Sequence, residues 1–380
     1  MKNINKNLEY HFGIISDTQD SKEPEEIAKI LEPLHNLEKE GIRLDFIIHL
    51  GDLAGAGLKE YFKEAKRVMG YYDDEEKTKT IENNESKQYK ETINSSEYKE
   101  FANDLKNKGV EQEIAIYALW LAKKCGKFDQ ALKNMELLLK NATDQLKGFK
   151  SEVRHIIGNA DRAFPEKLEA TQKLLKEQNI TSYDQPFHLS LDEKTSVVFF
   201  PSMKIDKKNK EQILNLQRLI DKFAEDMKNK KTVLIFAHET PFRGPKQPGV
   251  YENNIKKKLG DNILGSDRIP NKQFLPGIEY ALELIRRLPP DAKIAMTAGH
   301  MHVPREIIEA GTQYIKFDET GKAKIRLHGL GKKIDRIKYK IIPGSRRTFD
   351  LYYFPKEEVG ILEIKDDGNI KYCKLSKNKN

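Results

Sequence analysis

Short apolar runs that stop abruptly at a metal-binding side chain constrain this chain more than any other feature. Residues 9–16 end at Asp17. Residues 45–50 lead through Gly51 to Asp52, and residues 152–157 lead through Gly158 to Asn159. Residues 232–237 end at His238, and residues 293–298 lead through Gly299 to His300 and His302. Apolar runs of about four to eight residues read as buried strands. Between the first two, residues 24–40 set Ile27, Ile30, Leu31, Leu34 and Leu37 at helical spacing behind Pro24, a residue suited to a first turn. Strand, helix and strand form a βαβ unit. Asp17 and Asp52 then stand at strand C-termini, the edge where open α/β sheets build their sites.

The rhythm breaks after Asp52. Residues 58–150 carry almost no strand signal and much Lys, Glu and Asn. Residues 71–98 are polar and read as a loop or frayed helix. Residues 111–141 read as two amphipathic helices joined near Gly126, with a GKFDQAL turn like that of a tetratricopeptide unit. No second copy follows, so a solenoid is not expected. The α/β pattern then resumes. It adds a strand at 195–200, helices near 208–229 and 273–288, and short strands near 312–317, 338–342, 358–364 and 369–374. Asp367-Gly368 reads as a hairpin turn. The class is α/β with mixed sheets and one helical insertion.

Composition narrows the setting. Lys and Arg number 67 and Asp and Glu 59, a net charge of +8 that favours anionic substrates without demanding nucleic acid. Cys125 and Cys373 are the only cysteines and lack metal-ligand spacing, which fits a reducing compartment. The first 13 residues are polar, with no apolar core for a signal peptide, and no run of 18 apolar residues occurs. A cytoplasmic protein with no membrane association is expected.

Each metal-binding residue has an ordinary reading by itself. Asp after a strand often caps a helix, and Gly-Asp or Gly-Asn is often a turn. Their joint order is harder to explain that way. Two divalent ions need oxygen and imidazole ligands with one shared carboxylate. Glycine before Asp52, Asn159 and His300 allows the backbone to turn sharply beside the ions. His300 and His302, two apart, would point the same way from an extended segment.

The order resembles the calcineurin-like metallophosphoesterase superfamily, and stands here as Asp17-Thr18-Gln19, Gly51-Asp52, Gly158-Asn159, His238 and Gly299-His300-Met301-His302. Pro343-Gly344-Ser345 resembles the segment that follows these motifs in small bacterial and archaeal members. The resemblance implies a two-sheet sandwich flanked by helices. Residues 1–58 and 151–380 would form the phosphoesterase domain and residues 59–150 a helical insertion, a packing cap or a lid. It also implies two divalent ions, with Mn²⁺ favoured and Mg²⁺, Fe²⁺ or Zn²⁺ compatible. One would be held by Asp17, Asp52 and His302, with Gln19 as a weaker ligand. The other would be held by Asp52, Asn159, His238 and His300, so that Asp52 bridges. The implied reaction is in-line hydrolysis of a phosphate ester, with Asp52 and His238 at the reacting centre.

Two departures shape the expected substrate. The first motif has Gln19 where the family has His, which loosens one metal site and favours Mn²⁺ or Mg²⁺ over Zn²⁺. The third motif has Ala160 where the family has a His that protonates the leaving group. General acid catalysis is worth about 10²–10⁴-fold, so diesters or nucleotide-like substrates are favoured. Asp161 or Arg162 is a candidate partial replacement for that acid, against an ordinary role for both in structuring the loop, and an acid supplied by the substrate or the insertion is the other reading. Arg243, in the loop after His238, is a candidate phosphate contact, against a plain surface charge. The segment 322–347 holds ten Lys or Arg and one acid, Asp335, which raises a nucleic-acid substrate as a second possibility. It has one aromatic, Tyr339, and basic β edges also serve to block aggregation. A third possibility is a non-catalytic scaffold binding a protein partner through residues 59–150. The remaining histidines match no motif, and His49 and His155 are expected in the core or at strand edges.

Overall fold

The computed structural model describes residues 10–18, 24–55, 59–68, 83–107, 113–206, 209–239, 274–299, 309–310, 313–314, 322–326, 348–354, 358–365 and 367–375. Two six-stranded mixed sheets are flanked by helices. The first sheet is built from β1 (Tyr10–Ile15), β2 (Phe46–His49), β3 (Glu152–Ile156) and β4 (Thr181–Tyr183), all parallel. The second holds β5 (Phe187–Ser190), β6 (Thr195–Phe200), β8 (Thr232–Ala237) and β10 (Lys293–Ala298). Here β6, β8 and β10 run parallel and β5 antiparallel. A short pair, β7 (Lys204–Asp206) with β9 (Phe274–Pro276), lies outside both sheets, as does β11 (Glu309–Ala310) with β12 (Gln313–Tyr314). Strands β13 (Lys322–Arg326) and β14 (Thr348–Tyr353) complete the second sheet. Strands β15 (Val359–Ile364) and β16 (Ile370–Lys374) complete the first. The β15–β16 hairpin turns at Gly368, whose φ of 73° suits glycine.

Period-two patterning divides the core. In β1, Phe12 and Ile14 face the second sheet, and in β8 Leu234 and Phe236 face the first. Phe236 sits at the middle of this layer, 5.6 Å from the ring of Phe12 and 5.7 Å from that of Phe199. The alternate residues of β8, Val233, Ile235 and Ala237, meet α8 (Lys210–Asp226) and a later helix, α9 (Ile278–Arg287).

The outer face of the first sheet is covered by α1 (Pro24–Lys39) and by α7 (Pro165–Glu177). Between β2 and β3 run α2 (Lys59–Val68), α3 (Asn83–Asn94), α4 (Ser96–Asn107), α5 (Glu113–Lys124) and α6 (Phe128–Leu146). Helix α6 packs on α1 and α7. Ala115, Leu119, Met135 and Leu139 share one buried cluster with Ile30 and Leu34 of α1 and with Leu53 and Ala54 beside Asp52. The helix pair expected at 111–141 is α5 and α6, turning at Gly126 with φ 63°. The polar stretch 71–98, expected as a loop or frayed helix, contains helix α3. Tyr89 and Ile93 anchor it against the cluster, and Tyr89 packs edge-on to Tyr117 at 4.9 Å. Two well-spaced apolar contacts suffice to fix a helix that has little propensity signal of its own. The strand expected at 338–342 lies outside the described residues, as do most of 322–347 and Pro343-Gly344-Ser345. Among the described residues, no helix is long and apolar enough to cross a membrane.

The central aromatic contact is testable. Phe236→Ala is expected to lower unfolding free energy by about 3–5 kcal/mol. Urea denaturation should show a lower midpoint with an unchanged slope.

Candidate metal centre

The register of the parallel strands brings the ligand-bearing loops together. Ile15 pairs with His49, and His49 with His155, so the chain leaves β1, β2 and β3 side by side. Asp17, Asp52 and Asn159 follow within three residues of those strand ends. His238 follows β8 directly, and the Gly299 amide donates to its carbonyl at 3.0 Å. The two sheets close on each other at this edge. His238 Nδ1 lies 2.8 Å from the carbonyl of Leu50, and the Ser202 amide donates to the carbonyl of Ile157 at 2.9 Å.

Asp17, Asp52 and His238 are all buried, and one ligand atom from each lies within 4.8 Å of the others. The contact with Leu50 sets the imidazole tautomer, because a carbonyl accepts only and Nδ1 must donate. The lone pair then sits on Nε2. It faces Oδ1 of Asn159 at 2.8 Å and Oδ1 of Asp52 at 3.5 Å. Three electron-pair donors thus converge on one point. A cation among them relieves their mutual repulsion, and an Asp, Asn and His set suits a hard or borderline divalent ion. The donor chemistry fits a metal.

The backbone around this point is strained in a consistent way. Asp17 and Asp52 have φ of 48° and 58°, in the left-handed region, and among the described residues Asn179 is the only other non-glycine there. Such a conformation costs on the order of 1 kcal/mol for a residue with a Cβ. It turns each carboxylate back over the sheet edge. Two glycines make the crowding possible. A Cβ on Gly158 would overlap the Asp52 carboxylate, and one on Gly299 would overlap Ser16 Oγ and Asp17 Oδ2. Ser16 Oγ donates to Asp17 Oδ2, and the Ala160 amide donates to Asp52 Oδ1 at 2.7 Å.

Behind these ligands lies a buried polar layer. Asp161 is fully enclosed and accepts four hydrogen bonds, each of 2.9 Å. Three come from the amides of Asp52, Leu53 and Gly158, and one involves Nε2 of His155. Burial by itself would raise the Asp161 pKa, but His155, Lys167 and the Gly158 amide hold it well below the usual carboxylate range. Through these four bonds Asp161 ties the loop after β2 to the loop after β3.

His49 joins the same layer. Its Nδ1 accepts from the Gly51 amide at 3.2 Å, so Nε2 carries the proton and donates to Thr18 Oγ1 at 3.0 Å. That hydroxyl donates in turn to the Leu53 carbonyl at 2.7 Å. Burial, with His155 beside it, pushes the His49 pKa down to about 3, which keeps the ring neutral for this relay. The relay ties the residue after Asp17 to the residue after Asp52.

Of the residues named from the sequence, Asp17, Asp52, Asn159 and His238 come together at one point, with Asp161 directly behind them. Gln19, Arg243, His300 and His302 lie outside the described residues. Thr18 and Lys167 were given no role of their own from sequence, and His49 and His155, expected in the core or at strand edges, are fully buried in β2 and β3. The signal for two of them was present: His49 and His155 are histidines inside two neighbouring apolar runs, a few residues before Asp52 and Asn159 respectively.

No protein-family model and no curated protein matches the chain in sequence. Among solved structures, the NAD nucleotidase NadN of Haemophilus influenzae is 9% identical, with a TM-score of 0.40, over 97% of this chain and 50% of that one. GAP50, the anchor in the inner membrane complex of Plasmodium, is 11% identical, with a TM-score of 0.37, over 98% of this chain and 85% of that one. A third crystal structure reaches 10% identity and a TM-score of 0.43 over 97% of this chain and the whole of the other. Likenesses at this level assign neither family nor activity. The chain spans half the length of NadN.

Two outcomes follow from the geometry. Gly158→Ala should displace the Asp52 carboxylate and weaken Mn²⁺ binding by about 10–100-fold, read by calorimetric titration. Asp161 has a folded pKa below its unfolded one. Its stabilisation is therefore fully present above the unfolded value of about 4, begins to fall as pH drops below that value, and goes on falling until the lower folded pKa is passed. Between about pH 5 and pH 3, the unsubstituted chain should lose stability more steeply than Asp161→Asn, measured by thermal unfolding at each pH.

Proposed function

We propose that this protein is a calcineurin-like metallophosphoesterase that hydrolyses phosphate esters with two divalent metal ions. The observation that carries the reading is the convergence of Asp17, Asp52, Asn159 and His238 at the common C-terminal edge of two sheets. Their sequence order is that of the family's motifs. Gly299 lends support. It is the last described residue before His300, and its backbone runs against Asp17 and His238.

In this reading Asp52 is the shared ligand. Asp17 and His302, with Gln19 as a weak ligand, complete one site. Asn159, His238 and His300 complete the other. Two bound Mn²⁺ ions supply Lewis acidity toward the phosphoryl oxygens and acidify water. The chain's own part is to fix the ligands in place. The Leu50 carbonyl orients His238, the Ala160 amide aims Asp52, and Ser16 aims Asp17. The side chain at position 160 is a methyl group, so no imidazole there supplies a leaving-group proton. This favours substrates with good leaving groups, and we assign a phosphodiester, nucleotide-like in character, as the substrate class. Arg243 is the candidate phosphate contact. Residues 59–150 form the helical insertion, and residues 1–58 and 151–380 the phosphoesterase domain. Packing of the insertion's helices against Leu53 and Ala54 supports a role in buttressing the Asp52 loop.

Hydrolysis of bis-p-nitrophenyl phosphate by the full chain is expected to require added Mn²⁺ and to exceed hydrolysis of p-nitrophenyl phosphate. Asp52→Asn and His238→Ala should each lower kcat/KM by about 10²–10³-fold or more. Two bound ions without turnover of either ester would overturn catalysis and leave a metal-binding scaffold.

A further inference from the structure

We infer that Lys167 is a positioning residue for the metal centre, bracing the Asp52 loop against the Asn159 loop so that their ligand geometry exists before metal arrives. The inference rests on the metal-centre reading above. Lys167 stands in the first turn of α7 and is fully buried. Its Nζ donates to the carbonyl of Ala54 at 2.7 Å and to the carbonyl of Ala160 at 2.6 Å. Ala54 is two residues past Asp52, and Ala160 is one past Asn159. One ammonium group therefore spans the two loops that carry the shared carboxylate and the amide ligand.

Lysine is a costly choice at this position. Burial opposes its charge, and the first turn of a helix carries the positive end of the helix dipole. A methionine would fill the same space without either penalty. Burial leaves the Lys167 pKa below that of a free lysine, and what offsets the cost in part is specific to the site: two carbonyl acceptors, with the Asp161 and Asp52 carboxylates close enough to favour the ammonium form. Asp161 draws in the amides on the far side of the same two loops. Lys167 and Asp161 thus hold the loops from opposite polarities, one through carbonyls and the other through N–H groups.

A second buried lysine supplies the control. Lys230 precedes β8, at the end opposite His238, and its Nζ donates to Ser190 Oγ at 2.6 Å and to the Asp192 carbonyl. It is buried and hydrogen-bonded, yet touches no ligand loop. Lys167→Met and Lys230→Met should both lower thermal stability, but only the first should change metal binding.

The test is calorimetric titration of Mn²⁺ into the full metal-free chain, with folding checked by circular dichroism. Lys167→Met is expected to weaken Mn²⁺ binding by about 10–100-fold, with Lys230→Met unchanged. Lys167→Gln keeps an amide donor and is the milder change, so it should fall between Lys167→Met and the unsubstituted chain. Full affinity in a folded Lys167→Met would overturn the inference. Full affinity in Lys167→Gln would overturn it if the Met variant does not fold. Equal weakening in Lys230→Met would also overturn it, since general destabilisation would then explain the loss. No Mn²⁺ uptake by the unsubstituted chain would instead overturn the metal-centre reading itself.

Discussion

The buried carboxylate of Asp161 is the contact on which the site depends. It gathers amides from the loop after β2 and the loop after β3, and it touches His155 within the sheet. Backbone N–H groups at such turns have no strand partner. Leaving them unpaired inside the protein would cost about 1–3 kcal/mol each. One ionised side chain satisfies three of them and fixes two ligand loops at once. The left-handed backbone at Asp52 is tolerable because these bonds over-determine it.

That arrangement sets an electrostatic problem. Asp17 and Asp52 are both buried, their ligand atoms lie within 4.8 Å of each other, and Asp161 stands behind them. Like charges in a low-dielectric interior disfavour ionisation of the group. The protein meets this with short donors and the Lys167 ammonium. Ser16 serves Asp17, the Ala160 amide serves Asp52, and Lys167 and His155 serve Asp161. The remaining negative charge points to the place where His238 and Asn159 add neutral donors. A cation is the group that such an environment is built to receive.

The helices between β2 and β3 belong to this arrangement too. They share an apolar cluster with α1, α7, Leu53 and Ala54. The loop carrying Asp52 therefore has a dry, packed layer on one side and the polar layer on the other. Side chains held between two packed layers have few alternative rotamers, which is the requirement for a preorganised metal site.

The sequence by itself determined the class and the strand-end positions of Asp17, Asp52, Asn159 and His238, but marked none of β4, β5, β13 or β14. Each apolar run is local, and a strand's C-terminal end follows from chain direction alone, so Asp17, Asp52, Asn159 and His238 could be named from one-dimensional pattern. The hairpin at Gly368 and the helix pair around Gly126 were legible for the same reason, because turn chemistry is encoded within a few residues. Tertiary structure alone decided the roles of Asp161, His49 and Lys167. Asp161 reads as a spare acid in sequence, and only its enclosure by four donors makes it an anchor. Lys167 carries no signal in the sequence, and only the return of the Ala54 carbonyl from 113 residues away makes it a brace. Helix α3 was only half legible, since Tyr89 and Ile93 give it two apolar anchors and the cluster they meet is built by distant helices. Burial and pairing are properties of residues distant in the chain, and sequence pattern reports only neighbours.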